Sequence, residues 1–153
     1  MGFATIDTDR KRRTGMPEVI YASGKTPEQV ALIAERMFKS GIDVLATRVT
    51  KEMATAVQAV IPDAEYNPTA KTIVHKKSED EKSTGYIAVV AAGTSDLPVA
   101  EEAAVTARFL GNKVETIFDV GVAGIHRLFN KLEIIRNARV IIVVAGMEGA
   151  LTS

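Results

Sequence analysis

The chain of 153 residues has no cysteine and no tryptophan, is only 5% aromatic, and carries no excess charge, with 19 Lys and Arg against 19 Asp and Glu. Without cysteine, this chain has no disulfide, no thiolate zinc site and no cysteine nucleophile. A formal net charge of zero argues against a protein that works by coating nucleic acid or an anionic membrane. No apolar run approaches the ~20 residues needed to span a bilayer. Asp7, Asp9 and Arg10 interrupt the N-terminus where the apolar core of a signal peptide would lie. A soluble, cytoplasmic protein is therefore expected. What is present is globular composition, 46% hydrophobic and 25% charged. The length suits one ordinary domain, or a small domain plus part of another.

Residues 1–25 show no sustained period and read as an extended N-terminal arm. The Arg10–Arg13 cluster there is either a phosphate contact or a solvated turn. Residues 26–75 read as a small β/α module. Thr26-Pro27-Glu28-Gln29 is a capping box with proline at the first helical position. Val30, Ile33, Ala34, Met37 and Phe38 follow at helical spacing, and Gly41 stops the helix. Ile42–Val49 is β-rich, Thr50 caps a second helix to about Val60, and Thr72–His75 forms a further strand. His75 reads as structural. The charged stretch 76–84 is the expected linker.

Residues 85–153 then alternate strand and helix. Apolar strands are expected at Tyr86–Ala92, Lys113–Phe118 and Val140–Val144, the first and last buried on both faces. Between them lie a helix to Leu110, capped by Ser95 or Asp96, and a helix from about Gly124 to Asn137. Ala100, Ala103, Ala104 and Ala107 form a smooth stripe on the first helix, a candidate surface for subunit packing. The order implies right-handed crossovers and a parallel α/β sheet. Three strands and two helices leave apolar surface uncovered, so a piece of a longer protein, or dependence on partner subunits, is expected.

In such a sheet, ligands bind beyond the carboxyl ends of the strands. The first strand-end loop, Gly93-Thr94-Ser95-Asp96, is either an anion site at a helix N-terminus or an ordinary cap. The second runs from Asp119 to Ile125-His126-Arg127. His126 is a candidate acid or base and Arg127 an anion clamp, against a structural histidine and a solvated arginine. The third, Gly146-Met147-Glu148-Gly149, holds a carboxylate that packing does not explain. Glu148 suits a base, a magnesium ligand, a ribose partner or a solvated turn. None of these loops matches a dinucleotide fingerprint or a P-loop.

Gly93-Thr94-Ser95-Asp96-Leu97-Pro98-Val99, Ala123-Gly124-Ile125-His126-Arg127 and Val140–Leu151 resemble the PurE-type carboxylase/mutase domain that acts on aminoimidazole ribotide. The longer strings DVGVAGIHRL, VVAGMEGAL and GTSDLPVAEEAAVTA resemble the LarB family more specifically, as does the N-terminal stretch from Gly2-Phe3-Ala4 to Gln29. The resemblance implies a PurE-like parallel α/β domain and a pyridinium-3,5-biscarboxylic acid mononucleotide synthase. Such an enzyme carboxylates the pyridine ring of nicotinic acid adenine dinucleotide and hydrolyses its phosphoanhydride, releasing AMP. This is the first step towards the nickel-pincer nucleotide cofactor of lactate racemase.

Carried over by motif, His126, Asp96 and Glu148 form the catalytic set. Gly93, Thr94, Ser95, Asp96, Asp119, Arg127, Gly146 and Gly149 line the nucleotide site, and no protein metal ligand is assigned. Carbon dioxide or bicarbonate is the co-substrate, and Mg2+ enters through the substrate phosphates. Relatives of the PurE type assemble as homo-oligomers, often octamers. The sequence departs from the family in one respect. An electron-poor pyridinium must first accept a nucleophile before its carbon can attack carbon dioxide. A cysteine of the family's C-terminal portion is given that part, and this chain has none. The chain alone is therefore expected to be inactive. The alternatives are an aminoimidazole ribotide carboxylase, whose substrate is already an enamine, and a non-catalytic nucleotide-binding module.

Overall fold

The structure, a computed structural model, describes residues 17–77, 84–118 and 125–146, with side chains of the last stretch described from residue 131. The chain divides into two compact units, Met1–Glu79 and Asp80–Ser153.

In the first unit, strands β1 (Ile20–Tyr21), β2 (Val44–Thr47), β3 (Glu65–Asn67) and β4 (Thr72–His75) form one sheet in the order β1-β2-β4-β3. Helix α1 (Pro27–Lys39) crosses between the parallel strands β1 and β2, and helix α2 (Lys51–Val60) leads from β2 to the antiparallel β3–β4 pair. The α1 capping box forms as read. Gln29 N–H donates to Thr26 Oγ1 at 3.2 Å, and Thr26 N–H donates to Gln29 Oε1 at 2.9 Å. Gly41, at φ 75°, turns the chain out of the helix in the left-handed region that L side chains resist. Val30, Ile33, Ala34 and Met37 of α1 and Met53, Ala54 and Val57 of α2 share one core with Ile20, Val44, Ala46 and Ile73 of the sheet. The His75 ring stands edge-on to Phe38, with centroids 4.9 Å apart.

Two features of this unit differ from the sequence reading. The stretch taken as an extended arm enters the sheet at Ile20–Tyr21, where Ile20 lies opposite Ala46 and is buried. The sequence pattern does not predict strand β3. Both strands are too short to display a period of two.

The second unit has the expected parallel sheet. Strands β5 (Tyr86–Ala91), β6 (Lys113–Ile117) and β7 (Val140–Val144) lie in the order β6-β5-β7, with β5 parallel to both neighbours. Helix α3 (Leu97–Phe109) joins β5 to β6, and α4 (Ile125–Arg136) joins β6 to β7. Val89 and Ala91 face Ala100 and Ala104 of α3, whereas Val90 and Ile117 pack with Ile135 of α4. The alternation along β5 thus places the two helices on opposite faces. The chain steps first to one side of β5 and then to the other, so right-handed crossovers need opposite faces.

Two expectations for this unit are corrected, and a third holds in part. The alanine stripe of α3 is not a free packing surface. Ala100 and Ala104 are fully buried against the unit's own sheet, where small side chains let helix and strand approach closely. Strand β7 is not buried on both faces. Val140 and Ile141 remain 51% and 47% exposed, because β7 is an edge of the described sheet and only Ile142 and Val144 pack into the α3-side core. Asp96 stands at the N-cap of α3, as one of the two expected residues, but does not cap it with its side chain. A 3-10 turn, Thr94–Asp96, precedes the helix.

The strand start is held by a latch. Arg139 Nη1 donates to the Thr84 carbonyl at 3.1 Å and to Thr84 Oγ1 at 3.2 Å. Gly85 lies between, at φ 91°, with its missing Cβ 2.9 Å from the Arg139 side-chain carbons. Gly85→Ala should therefore destabilise more than Gly41→Ala. At Gly41 a Cβ would meet nothing within 4 Å, so only left-handed strain of ~1–2 kcal/mol applies. Urea unfolding of the two variants checks the ranking. In the first core, Met37→Ala should cost about 2–5 kcal/mol by the same measurement, since Met37 is fully buried.

Candidate functional site

The sheet order of the second unit fixes where a ligand would enter. The lateral order of the strands reverses at β5, with α3 and α4 on opposite faces, so the carboxyl ends of β5 and β7 stand side by side at the kind of position where α/β sheets open a ligand crevice. The strands stay joined to that point, Ala92 N–H donating to the Val144 carbonyl at 3.2 Å.

The loop after β5 folds on itself through Asp96. The Asp96 N–H donates to the Gly93 carbonyl at 3.0 Å, and Asp96 Oδ2 accepts the Gly93 N–H at 3.2 Å. These reciprocal bonds close a turn on which Thr94 and Ser95 are exposed while Asp96 is half-buried. The Asp96 carboxylate serves this turn and makes no bond to the helix that follows.

The loop after β7 arrives against the same carboxylate. A Cβ built on Gly146 would lie 3.1 Å from Asp96 Oδ1, tighter than ordinary van der Waals contact. Glycine at 146 is therefore what admits the two loops to one corner. Of the residues proposed from sequence, Gly93, Asp96 and Gly146 meet here, with Thr94 and Ser95 on the rim. His126 and Arg127 fall in the first turn of α4, and their side chains lie outside the described residues. Asp119, Glu148 and Gly149 also lie outside the described residues.

Chemically, the corner offers one half-buried carboxylate, two exposed hydroxyls and glycine backbone open to close approach. Among the described residues, no three His, Asp or Glu side chains gather as a metal cage. A single carboxylate beside hydroxyls suits Mg2+ carried mainly by a substrate's phosphates, since Mg2+ keeps several waters and takes one or two carboxylates. No helix among the described residues is long and apolar enough to cross a membrane.

The contact between Gly146 and Asp96 is testable without any ligand. Gly146→Ala should push the Asp96 carboxylate away, loosen the Gly93 turn and cost about 1 kcal/mol, the worth of one such bond. Faster amide exchange at Gly93, with β5 itself unchanged, is the expected outcome.

The chain is 39% identical, over 97% of its length, to an uncharacterized protein of Methanocaldococcus jannaschii, and it spans 61% of that protein. The LarB/PurE-like N-terminal domain matches residues 1–77, which covers the whole described part of the first unit. With half its length matching that domain and its second unit folded as a parallel α/β sheet, the chain belongs to the LarB/PurE-like family.

Proposed function

We propose that this chain carries the nucleotide-binding half of an enzyme that carboxylates the pyridine ring of nicotinic acid adenine dinucleotide and hydrolyses its phosphoanhydride. The reading places it in the cytoplasm, early in nickel-pincer nucleotide synthesis, and in a homo-oligomer. The observation that carries it is the meeting of Gly93, Asp96 and Gly146 at the switch point of the second unit's sheet. Membership of the LarB/PurE-like family supports a carboxylase.

In this reading the exposed Thr94 and Ser95 hydroxyls receive a phosphate or carboxylate oxygen of the substrate. Asp96 holds the turn and would help to hold Mg2+ brought in on the substrate phosphates, which would supply positive charge to the phosphoanhydride. The glycines at 93 and 146 let the nucleotide approach the backbone. His126 and Glu148 are the proton-transfer groups proposed for the carboxylation, while Asp119, Arg127 and Gly149 complete the pocket. Carbon dioxide or bicarbonate is the second substrate.

A second reading, binding without turnover, is favoured by one observation. Ring carboxylation needs a nucleophile to convert the pyridinium to an enamine-like dihydropyridine, and no cysteine is present in this chain to supply it.

Calorimetric titration with nicotinic acid adenine dinucleotide and Mg2+ separates the possibilities, with aminoimidazole ribotide and nicotinamide adenine dinucleotide as comparisons. Selective binding of the first ligand is expected, weakened about tenfold or more in Asp96→Ala, as loss of one charged contact and its turn implies. Preference for aminoimidazole ribotide would move the assignment to a PurE-type carboxylase. Binding with no carbon dioxide incorporated would support the non-catalytic reading for this chain. Absence of binding to all three would sink the assignment of this corner.

A further inference from the structure

The first unit contains a concavity of its own. Strand β2 ends at Thr47, and β4 begins at Thr72, antiparallel to it. That pairing brings the residues just beyond β2 beside the one just before β4, although 23 positions separate Arg48 from Lys71. The Val49 N–H donates to the Lys71 carbonyl at 2.8 Å, locking the two turns together. Around this junction lies a cavity of about 350 Å³, lined in part by Arg48, Thr50, Lys51, Tyr66, Pro68 and Lys71.

Its chemistry is one-sided. Three lining residues are cationic and none is acidic, in a chain whose formal net charge is zero. Gathering like charges at one concavity raises the local potential and selects anions. Both Arg48 and Lys71 are held in the left-handed region, at φ 60° and 55°. Each costs about 1–2 kcal/mol for a residue with a Cβ. The first turn of α2 opens on the same cavity at Thr50–Lys51. Thr50 Oγ1 is already engaged by the Met53 N–H at 3.2 Å, so the anion would be met by the cationic side chains. Tyr66, which also packs against the core, and Pro68 line the same concavity. At about 350 Å³ the concavity lies at the lower end of the ~300–1,000 Å³ range of small-molecule pockets, and it is open, with Arg48, Thr50, Lys51, Pro68 and Lys71 exposed.

We propose that this pocket is a second binding site, selective for a phosphomonoester of mononucleotide size. Arg48, Lys51 and Lys71 hold the phosphate, and Tyr66 with Pro68 takes the planar group. The site lies wholly within the first unit and is independent of the corner built on Asp96.

The test is a nuclear magnetic resonance titration of the isotope-labelled full chain with uridine monophosphate, uridine and inorganic phosphate in separate arms. Uridine monophosphate should shift the amides of Arg48, Val49, Lys51, Tyr66 and Lys71 together. Inorganic phosphate should shift the same group more weakly, and uridine should leave it unmoved. Raising salt from low ionic strength should weaken binding several-fold, as charge pairing at an open site requires. Arg48→Asn with Lys71→Asn retains a residue that tolerates the left-handed backbone and should reduce affinity at least about tenfold. Its unshifted core amides would show that the fold survives. Asp96→Ala should leave these shifts intact, which separates failure of this site from failure of the β5–β7 corner. Equal response to uridine, shifts confined to Gly93, Asp96 and Gly146, or unchanged affinity in the double variant would overturn the proposal.

Discussion

In the second unit, everything depends on β5 needing a parallel partner along each backbone edge. A buried strand cannot leave its N–H and C=O groups unpaired, and β5 meets that need with β6 on one side and β7 on the other. Parallel neighbours cannot be joined by a hairpin, so a helix must carry the chain over each time. Going first one way and then the other puts α3 and α4 on opposite faces, and it leaves the ends of β5 and β7 adjacent. The crevice results from satisfying backbone hydrogen bonds. Its chemistry is added by the few residues that occupy it.

Those residues are constrained by size as much as by charge. Asp96 spends one oxygen on the Gly93 N–H, and the other lies where a side chain at 146 would press. The two loops share one corner because position 146 has no Cβ. In the first unit a comparable convergence is produced differently. There, antiparallel pairing of β2 with β4 brings Arg48 and Lys71 together, and the unfavourable left-handed backbone at both is tolerated because the Val49–Lys71 bond holds the junction.

What was legible in the sequence was what local chemistry decides. The box at Thr26–Gln29, the helical spacing from Val30 to Met37 and the apolar run at Tyr86–Ala91 each carry their own signal, and each formed as read. The box at Thr50 was half hidden, since a methionine sulfur at position 53 takes the place of the usual Glu or Gln oxygen, accepting the Thr50 N–H at 3.4 Å. Strands β1 and β3 have two and three residues, and only pairing with distant partners makes them strands. Asp96 was legible as a group at a helix start. The sequence could not show that its carboxylate would turn back to Gly93. The alanine stripe was legible as a packing face, but its partner, the chain's own sheet, is a property of the tertiary fold. The basic pocket was invisible for the same reason, with two of its cations meeting only through strand pairing.

The central claim is that the β5 and β7 loops form one ligand-binding corner in the second unit. Hydrogen exchange read by mass spectrometry, with and without nicotinic acid adenine dinucleotide and Mg2+, tests it most directly. The account predicts that peptides covering 92–97 and 144–146 gain protection together at the same ligand concentration. Protection of only one of these segments, or of neither while other parts of the chain respond, would contradict it.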